Sequence, residues 1–203
     1  TPAVDVPNPD PGEDTWRAAA AARRAADRSR VRESIVILDF GAQYSLLIAR
    51  RVRELGVYSE IIPFNTTAEA ILRTKPKAII LSGGPSSVYE DNAPHPDPGV
   101  IQMGIPVLGI CYGVQLMAHF LGGKVEHSTH REYGPGQLHV KADACPLFAG
   151  LGDAIDIWNS HGDKVTKMPA GFRSVGKTDN APYAAIEHPK KRFYGLQFHP
   201  EVV

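Results

Sequence analysis

Short apolar runs recur along the chain from Ser34 onward, and a stretch with helical periodicity follows most of them. In chain order, the predicted elements are strand 35–38, helix 44–55, strand 58–62, helix 68–73, strand 78–81, strand 106–110 and helix 112–121. Strands that are apolar on both faces are typical of parallel sheets, which need helices to cover them. We therefore predict an α/β, doubly wound fold with a mainly parallel central sheet and helices on both faces.

The pattern changes beyond Gly122, where turn residues become frequent and the apolar runs shorten. Further strands are predicted around Trp158 and at residues 172–175, 184–186 and 193–198. We expect these to be extra short strands, some of them antiparallel, that are added to the parallel sheet.

The first 33 residues differ in composition from the rest of the chain. Residues 1–14 are rich in Pro and Asp, and residues 15–32 combine alanines with arginines. Such segments have little apolar surface to bury, so we predict a disordered or helical N-terminal extension at 1–33 and one globular domain at 34–203. An organelle transit peptide is the alternative, but the acidic residues at positions 5, 10, 13 and 14 argue against it.

The charge balance and the cysteine content limit the classes of function. Lys and Arg number 22, as do Asp and Glu, so we expect neither nucleic acid nor a membrane surface as the main partner. No apolar run reaches the length of a transmembrane helix. Two cysteines in 203 residues do not make a disulfide framework, which favours a cytoplasmic location.

A possible nucleophile lies where the strand 106–110 enters the next helix. Cys111 has a glycine two residues to either side, in the sequence GICYG, which is the nucleophile-elbow pattern with cysteine in place of serine. The turn would place the sulphur near a helix N-terminus, where the helix dipole favours a thiolate. A buried structural cysteine explains the same residues equally well, so this motif alone leaves both interpretations open.

A possible base and its orienting group follow the last predicted strand, in the sequence HPE. His199 and Glu201 are two residues apart, and alternation along an extended segment would put both side chains on one side. A cysteine nucleophile needs such a base and such an acceptor, so we predict a triad of Cys111, His199 and Glu201.

A glycine-rich loop, SGGP at residues 82–85, follows the strand 78–81. Glycines at a strand end expose backbone N–H groups and let a ligand approach closely, which suits an oxyanion hole. A phosphate-binding loop is the competing interpretation, but no Lys-Ser/Thr pair follows the glycines.

Together these motifs resemble those of the class I (triad) glutamine amidotransferases, over Ser34 to the end of the chain. Within that family the chain is most similar to the glutaminase domains of GMP synthetases. This finer likeness depends on the segments DFGAQY (39–44), IARRVRE (48–54), SGGPSSVY (82–89), REYG (131–134) and SHGDKV (160–165).

The resemblance implies a role for each site residue. Cys111 would form a glutamyl thioester, His199 would move the protons and Glu201 would orient His199. The backbone N–H groups of Gly84 and Tyr112 would hold the oxyanion. The residues expected to position the α-amino and carboxylate groups of glutamine are Gln115, Ser160, His161, Gly162 and Asp163. Segment 160–163 and the Gly-Gly loop are both expected to be loops at strand ends.

The resemblance also implies a partner. In the family's complete enzyme, an ATP-pyrophosphatase domain or subunit uses ATP and magnesium to aminate xanthosine monophosphate (XMP) to GMP, in purine nucleotide biosynthesis. We therefore expect no cofactor and no metal in this domain, and ATP and Mg only in the synthetase partner. The sequence carries no pyrophosphate loop SGGVDS and stops soon after Glu201, so we expect the synthetase domain and the family's following helix to be absent from this chain. Either the chain is an excised domain or the synthetase half is another subunit.

Three further groups are weighed and set aside. His127 and His130 are three residues apart but have no third ligand at a metal-binding spacing. Cys145 has no elbow glycines and is interpreted as a structural thiol. His161 and Asp163 could form a second catalytic pair, although substrate positioning or contact with the synthetase is preferred. Two alternative functions also remain: a free-standing γ-glutamyl-type cysteine hydrolase and a catalytically silent glutamine-sensing module.

Overall fold

The computed structural model describes residues 33–141 and 145–202, without the side chains of residues 129–131. The predicted N-terminal extension, apart from Glu33, lies outside the described residues. The nine strands are β1 (Ser34–Asp39), β2 (Tyr58–Pro63), β3 (Ala78–Leu81), β4 (Val107–Ile110), β5 (Lys124–Val140), β6 (Ala154–Lys167), β7 (Arg173–Lys177), β8 (Ala185–His188) and β9 (Phe193–Leu196). The α-helices are α1 (Ser45–Glu54), α2 (Ala68–Thr74) and α3 (Tyr112–Phe120), and two short 3-10 helices span Pro98–Gln102 and Pro146–Phe148.

All nine strands form one sheet in the order β2-β1-β3-β4-β9-β8-β7-β5-β6. The first five strands in this order pair in parallel, and the remaining pairings are antiparallel. The α/β class with a parallel central sheet is therefore confirmed. In the described part of the chain, none of the helices is long and apolar enough to cross a membrane.

Helices cover both faces of the parallel strands. Successive side chains of a strand point to opposite faces, so an apolar run presents apolar side chains to the helices on both sides. On one face, Val36 and Leu38 of β1 pack in a cluster with Ile71 of α2 and with apolar residues of α3. On the other face, Ile37 packs with Ile48 of α1. This two-sided burial is the reason that β1, β3 and β4 lack polar alternation.

The antiparallel part is more extensive than the sequence indicated. The predicted short strands are present as β7, β8 and β9, with four or five residues each, but β5 has 17 residues and β6 has 14, so for these two strands the predicted length was wrong. β6 does alternate between buried and less buried positions, but three of its buried positions hold polar residues, namely Asn159, His161 and Asp163. Those polar residues conceal the alternating hydrophobicity by which a strand is recognised.

Candidate active site

The turn at Cys111 joins β4 to α3 through a backbone conformation that side chains rarely adopt, with φ 52° and ψ −105°. A methyl group at Gly109 would lie 2.6 Å from the carbonyl of Gly113, and one at Gly113 would overlap the carbonyl oxygen of Leu81. The two elbow glycines are thus required by close backbone approach, as the sequence pattern predicts. The Cys111 residue is 5% exposed, and its thiol donates to the carbonyl oxygen of Ser160 at 3.6 Å.

His199 and Glu201 meet in the segment after β9, where His199 Nδ1 lies 2.8 Å from Glu201 Oε1. Both side chains are buried. The prediction of an extended segment was wrong, because the N–H of Val202 donates to the carbonyl oxygen of His199 and closes a turn. Pro200 occupies the second position of that turn, which its fixed φ favours. A turn therefore brings the two side chains together.

Electrostatics distinguish His199 from an ordinary buried histidine. Burial by itself lowers the pKa of His199, but hydrogen bonds with Cys111 and Glu201 and the attraction of both groups outweigh it. The result is a pKa raised to about 9. Because Nδ1 is engaged by Glu201, Nε2 is the nitrogen that serves Cys111. The side chains of the predicted triad are therefore in contact and favour a protonated imidazole.

The glycine-rich loop after β3 lies against the triad. A methyl group at Gly83 would lie 2.9 Å from His199 Cε1 and 3.7 Å from Cys111 Cβ. Gly84, predicted as an oxyanion donor, borders the same cavity as Cys111. Tyr112 begins α3, so its N–H is one of those at a helix start that lack an intrahelical acceptor. The oxyanion roles of Gly84 and Tyr112 stay predictions.

The side chain of Tyr112 is directed into the core rather than toward the site. Its ring packs 5.6 Å from the ring of Phe40, and its hydroxyl donates to the carbonyl oxygen of Pro94 at 3.0 Å. Burial raises the pKa of Tyr112 to about 12. Any part that Tyr112 takes in the chemistry would therefore come from its backbone.

A cavity of about 300 Å³ opens beside Cys111, and all five predicted substrate-positioning residues line it. Its lining consists of Gly84, Pro85, Ser86, Ser87, Cys111, Gln115, His127, Tyr133, Ser160, His161, Gly162 and Asp163. The structure thus brings together residues that are as far apart in sequence as Gly84 and Asp163. Their roles toward a substrate stay predictions.

Segment 160–163 was expected to be a loop at a strand end, and this prediction was wrong. It lies inside β6, where His161 is opposite Glu132 and Asp163 is opposite His127 of β5. Pairing with β5 holds the segment in place on one side, although the pairing is irregular between His127 and Glu132. The error has the same origin as the underestimated length of β6, since polar residues occupy its buried positions.

His161 and Asp163 do not form a pair with each other. His161 Nε2 lies 3.1 Å from Glu132 Oε2, and Glu132 also accepts from the hydroxyl of Thr178. Burial lowers the pKa of His161, and the nearby Glu132 offsets only part of that effect. This histidine is thus biased toward the neutral form, whereas His199 is biased toward the protonated form. The contrast favours His199 as the base.

Asp163 accepts hydrogen bonds from the loop after β3 and contacts β5. The hydroxyls of Ser87 and Tyr89 donate to its two carboxylate oxygens, and His127 Nδ1 lies 3.0 Å from Oδ1. Its backbone carbonyl accepts from the side-chain amide of Gln115 at 3.0 Å. Ser87, Tyr89 and Glu132 were not predicted as site residues, although they fall in the family-like segments SGGPSSVY and REYG.

The possible metal ligands His127 and His130 and the second cysteine, Cys145, were not predicted to be site residues. His127 contacts Asp163, whereas the side chain of His130 lies outside the described residues. Among the side chains that the structure describes, which do not include those of residues 129–131, no three from His, Cys, Asp or Glu are grouped as a metal ion would require. Cys145 is a free thiol packed in an apolar cluster with Leu138 and Phe148, and burial raises its pKa.

The chain is similar to known proteins over most of the residues that the structure describes. Residues 36–203 match the family model described as glutamine amidotransferase class-I. The GMP synthase (glutamine-hydrolyzing) of Thermosynechococcus vestitus is 55% identical over 172 residues, which are 85% of this chain and 32% of the relative. That of Nitratiruptor sp. is 56% identical over 171 residues, which are 83% of this chain and 33% of the relative. The chain therefore spans about a third of the length of these relatives.

Solved structures share the fold. A protein from Thermoplasma acidophilum, solved as a proposed subunit of GMP synthase, superposes with a TM-score of 0.73 at 28% identity, covering 83% of this chain and 84% of that one. A glutamine amidotransferase from Thermotoga maritima superposes with a TM-score of 0.70 at 21% identity, covering 84% and 77% of the two chains. The second likeness concerns the fold alone.

Proposed function

Because this chain belongs to the class-I glutamine amidotransferases, we propose that it hydrolyses the side-chain amide of glutamine through a thioester on Cys111. The observation that carries the proposal is the position of His199. It lies between the cysteine and Glu201, and its pKa is raised to about 9 by those two contacts against the effect of burial. A thiol next to an imidazole that readily accepts a proton is the arrangement that activates a cysteine nucleophile.

The first half-reaction forms the thioester. The proton of Cys111 passes to His199 Nε2 before the sulphur attacks the amide carbon of glutamine. The carbonyl oxygen becomes an oxyanion, which the N–H groups of Gly84 and Tyr112 stabilise. When the intermediate collapses, the carbon–nitrogen bond breaks and His199 returns the proton to the leaving nitrogen. Ammonia and a glutamyl thioester result.

The second half-reaction hydrolyses the thioester. His199 takes a proton from water, and the hydroxyl attacks the thioester carbon. The carbon–sulphur bond then breaks, glutamate leaves and the sulphur regains a proton from His199. Glu201 accepts the Nδ1–H bond of 2.8 Å throughout and so holds the imidazole with Nε2 toward the sulphur.

The cavity beside Cys111 suits the amino-acid end of the substrate. We assign the positioning of the α-amino and carboxylate groups to Gln115 and to segment 160–163, which line the cavity. Asp163 supplies a carboxylate that complements an ammonium group, and backbone N–H groups of the segment complement a carboxylate. No cofactor enters this scheme, since every proton transfer is assigned to His199.

We further propose that the ammonia aminates XMP to GMP, in a synthetase domain or a separate synthetase subunit that binds ATP and magnesium. The support is the name of the relatives, GMP synthase (glutamine-hydrolyzing), of which this chain spans about a third. Purine nucleotide synthesis in the cytoplasm is the setting we propose, and two free thiols suit a reducing compartment.

Covalent labelling tests the central step. Diazo-oxo-norleucine, a glutamine-like electrophile, is expected to modify one residue per chain, Cys111, and excess glutamine is expected to slow the reaction. Labelling of Cys145 instead, or labelling that glutamine does not slow, would contradict the proposal. A silent glutamine sensor would bind glutamine without releasing glutamate, and a free-standing hydrolase would release glutamate at full rate without any synthetase.

A further inference from the structure

The glycine-rich loop beside the triad and the residues that follow it, 82–89 together, are held at two ends. The first end is held by the core of the sheet, and the second is held by one side chain of β6. At the first end, Ser82 is fully buried and its hydroxyl oxygen accepts from the N–H of Phe40 at 3.1 Å. The same hydroxyl donates to the carbonyl oxygen of Gly83 at 2.9 Å. This end is therefore fixed by the core of the parallel sheet.

At the second end, the loop is attached to β6 through a single carboxylate. The side chain of Asp163 is 8% exposed, and the hydroxyls of Ser87 and Tyr89 donate to its two oxygens. Between these two donors, Val88 packs into the apolar core. Apolar packing is not directional, and the carbonyl oxygen of Val88 lies 3.1 Å from His95 Nε2. Val88 is thus held against the core and His95, and Asp163 is the contact with β6.

Gly83 and Gly84 lie between the two attachments. Both glycines lie close to their neighbours, because a methyl group at Gly83 would lie 2.9 Å from His199 Cε1 and one at Gly84 would lie 2.8 Å from the carbonyl oxygen of Phe40. An oxyanion donor must be placed to within a fraction of an ångström to act. The orientation of both glycines thus depends on where the second end is held.

We propose that Asp163 holds the loop against β6 through the hydrogen bonds that it accepts from Ser87 and Tyr89. These two residues are then positioning residues, which keep Gly83 and Gly84 in place beside Cys111 and His199. The inference rests on the proposed glutamine hydrolysis for its kinetic consequence only. It gives Asp163 a role in the empty site, because its carboxylate organises the loop before any substrate arrives. Neither hydroxyl needs to touch the reacting atoms.

Ser87→Ala and Tyr89→Phe each remove one hydroxyl and little else. We expect kcat for glutamate release to fall about tenfold or more in each variant, because small misplacements of catalytic groups are costly. KM should change little, since the carboxylate remains available to the substrate. Ser87→Thr keeps a hydroxyl and should restore most of kcat. Tyr58→Phe, a partly exposed tyrosine at the start of β2, is the matched control and should leave kcat unchanged.

Hydrogen exchange of residues 83–90 provides a second readout that does not depend on catalysis. Exchange there should accelerate in Ser87→Ala and in Tyr89→Phe but not in Tyr58→Phe, with the unfolding midpoint unchanged. Unchanged exchange, or a rise in KM with unchanged kcat, would contradict the proposal that Asp163 holds the loop in place. If the wild-type protein releases no glutamate, the proposed function fails, and exchange alone then decides whether Asp163 holds the loop.

Discussion

Glu201 Oε1 lies 2.8 Å from His199 Nδ1 across a turn whose second residue is proline. The proline limits the conformations of the turn, so the carboxylate and the imidazole are held in contact by local backbone structure. Long-range contacts then place the pair. The N–H of His199 donates to the carbonyl oxygen of Trp158 on β6, and the guanidinium of Arg51 donates to the carbonyl oxygen of Glu201 at 3.4 Å.

Replacing each cysteine separately tests which thiol is the nucleophile. Cys111→Ala is expected to abolish glutamate release, because no other thiol contacts His199 in the described part of the chain. Cys145→Ala should leave kcat nearly unchanged, although the lost packing should lower stability by an amount on the order of 1 kcal/mol. Glutamate release and denaturant unfolding, measured on both variants, separate the two effects. Comparable loss of activity in both would contradict the assignment of Cys111.

Replacing the base and its orienting group should give graded losses. His199→Ala removes the proton acceptor, whereas Glu201→Gln removes a charge and retains a side chain that can accept a hydrogen bond. We expect the larger loss of kcat for His199→Ala, on the order of a hundredfold or more. Single-turnover kinetics should place both losses in the chemical step. If His199→Ala still forms the thioester at the normal rate, the base lies elsewhere, and His161 becomes the candidate.

The pH dependence of His199 follows from the direction of its shift. Its pKa is raised from 6.5 to about 9, so its contribution to stability is fully present below pH 6.5 and is lost as the pH rises through 9. Glu201→Gln should lower that pKa, and its unfolding free energy should therefore fall less than that of the wild type between those limits. Titration of the imidazole by NMR checks the pKa directly. A wild-type pKa near 6.5 would contradict the contacts described here.

The sequence predicted the parallel strands, their helices and the elbow, because each depends on local patterns. Strand β3 was predicted with its observed bounds, and α3 to within one residue. Gly109 and Gly113 were recognised because close backbone approach leaves no other choice of residue. The three residues of the predicted triad could be singled out because their chemistry is specific and because His199 and Glu201 are only two positions apart in the sequence.

The β5–β6 ribbon and the contacts that it makes were not predicted. Buried strand positions that hold Asn159, His161 and Asp163 carry no hydrophobic signal. The partners of those residues are distant in sequence, since Tyr89 is 74 positions from Asp163. Nothing in local periodicity indicates which hydroxyl will meet which carboxylate. Contacts of that kind depend on how the loop after β3 lies against β6, which the structure alone supplies.

Enlarging one glycine tests the contact between the loop and the base. A methyl group introduced by Gly83→Ala would lie 2.9 Å from His199 Cε1, so the imidazole or the loop must move. We expect kcat to fall by about a hundredfold, the effect of a displacement near 1 Å. Gly152→Ala is the matched control, because its methyl group would meet only the carbonyl oxygen of Ala154 at 3.9 Å. Equal activity in the two variants would show that the loop does not constrain His199.

Adding a synthetase partner tests whether glutamine hydrolysis is coupled to amination. An amidotransferase that hydrolysed glutamine freely would release ammonia with no acceptor waiting, so we expect this chain alone to bind glutamine but to turn it over slowly. The mobile element would be the glycine-rich loop, because β5 holds segment 160–163 within the sheet. A small shift of Gly84 is sufficient, since one misplaced oxyanion donor costs on the order of a hundredfold in turnover.

The measurement is glutamate release with and without a synthetase domain loaded with XMP and ATP. We expect the loaded partner to raise glutamate release, and an unloaded partner to raise it less. Asp163→Ala should reduce the rise, because the loop then loses the carboxylate to which Ser87 and Tyr89 donate. Tyr58→Phe, on the far edge of the sheet, should respond as the wild type does. Full activity of the chain alone, unchanged by the partner, would instead favour a free-standing hydrolase, because the activity of such an enzyme does not depend on a loaded acceptor site.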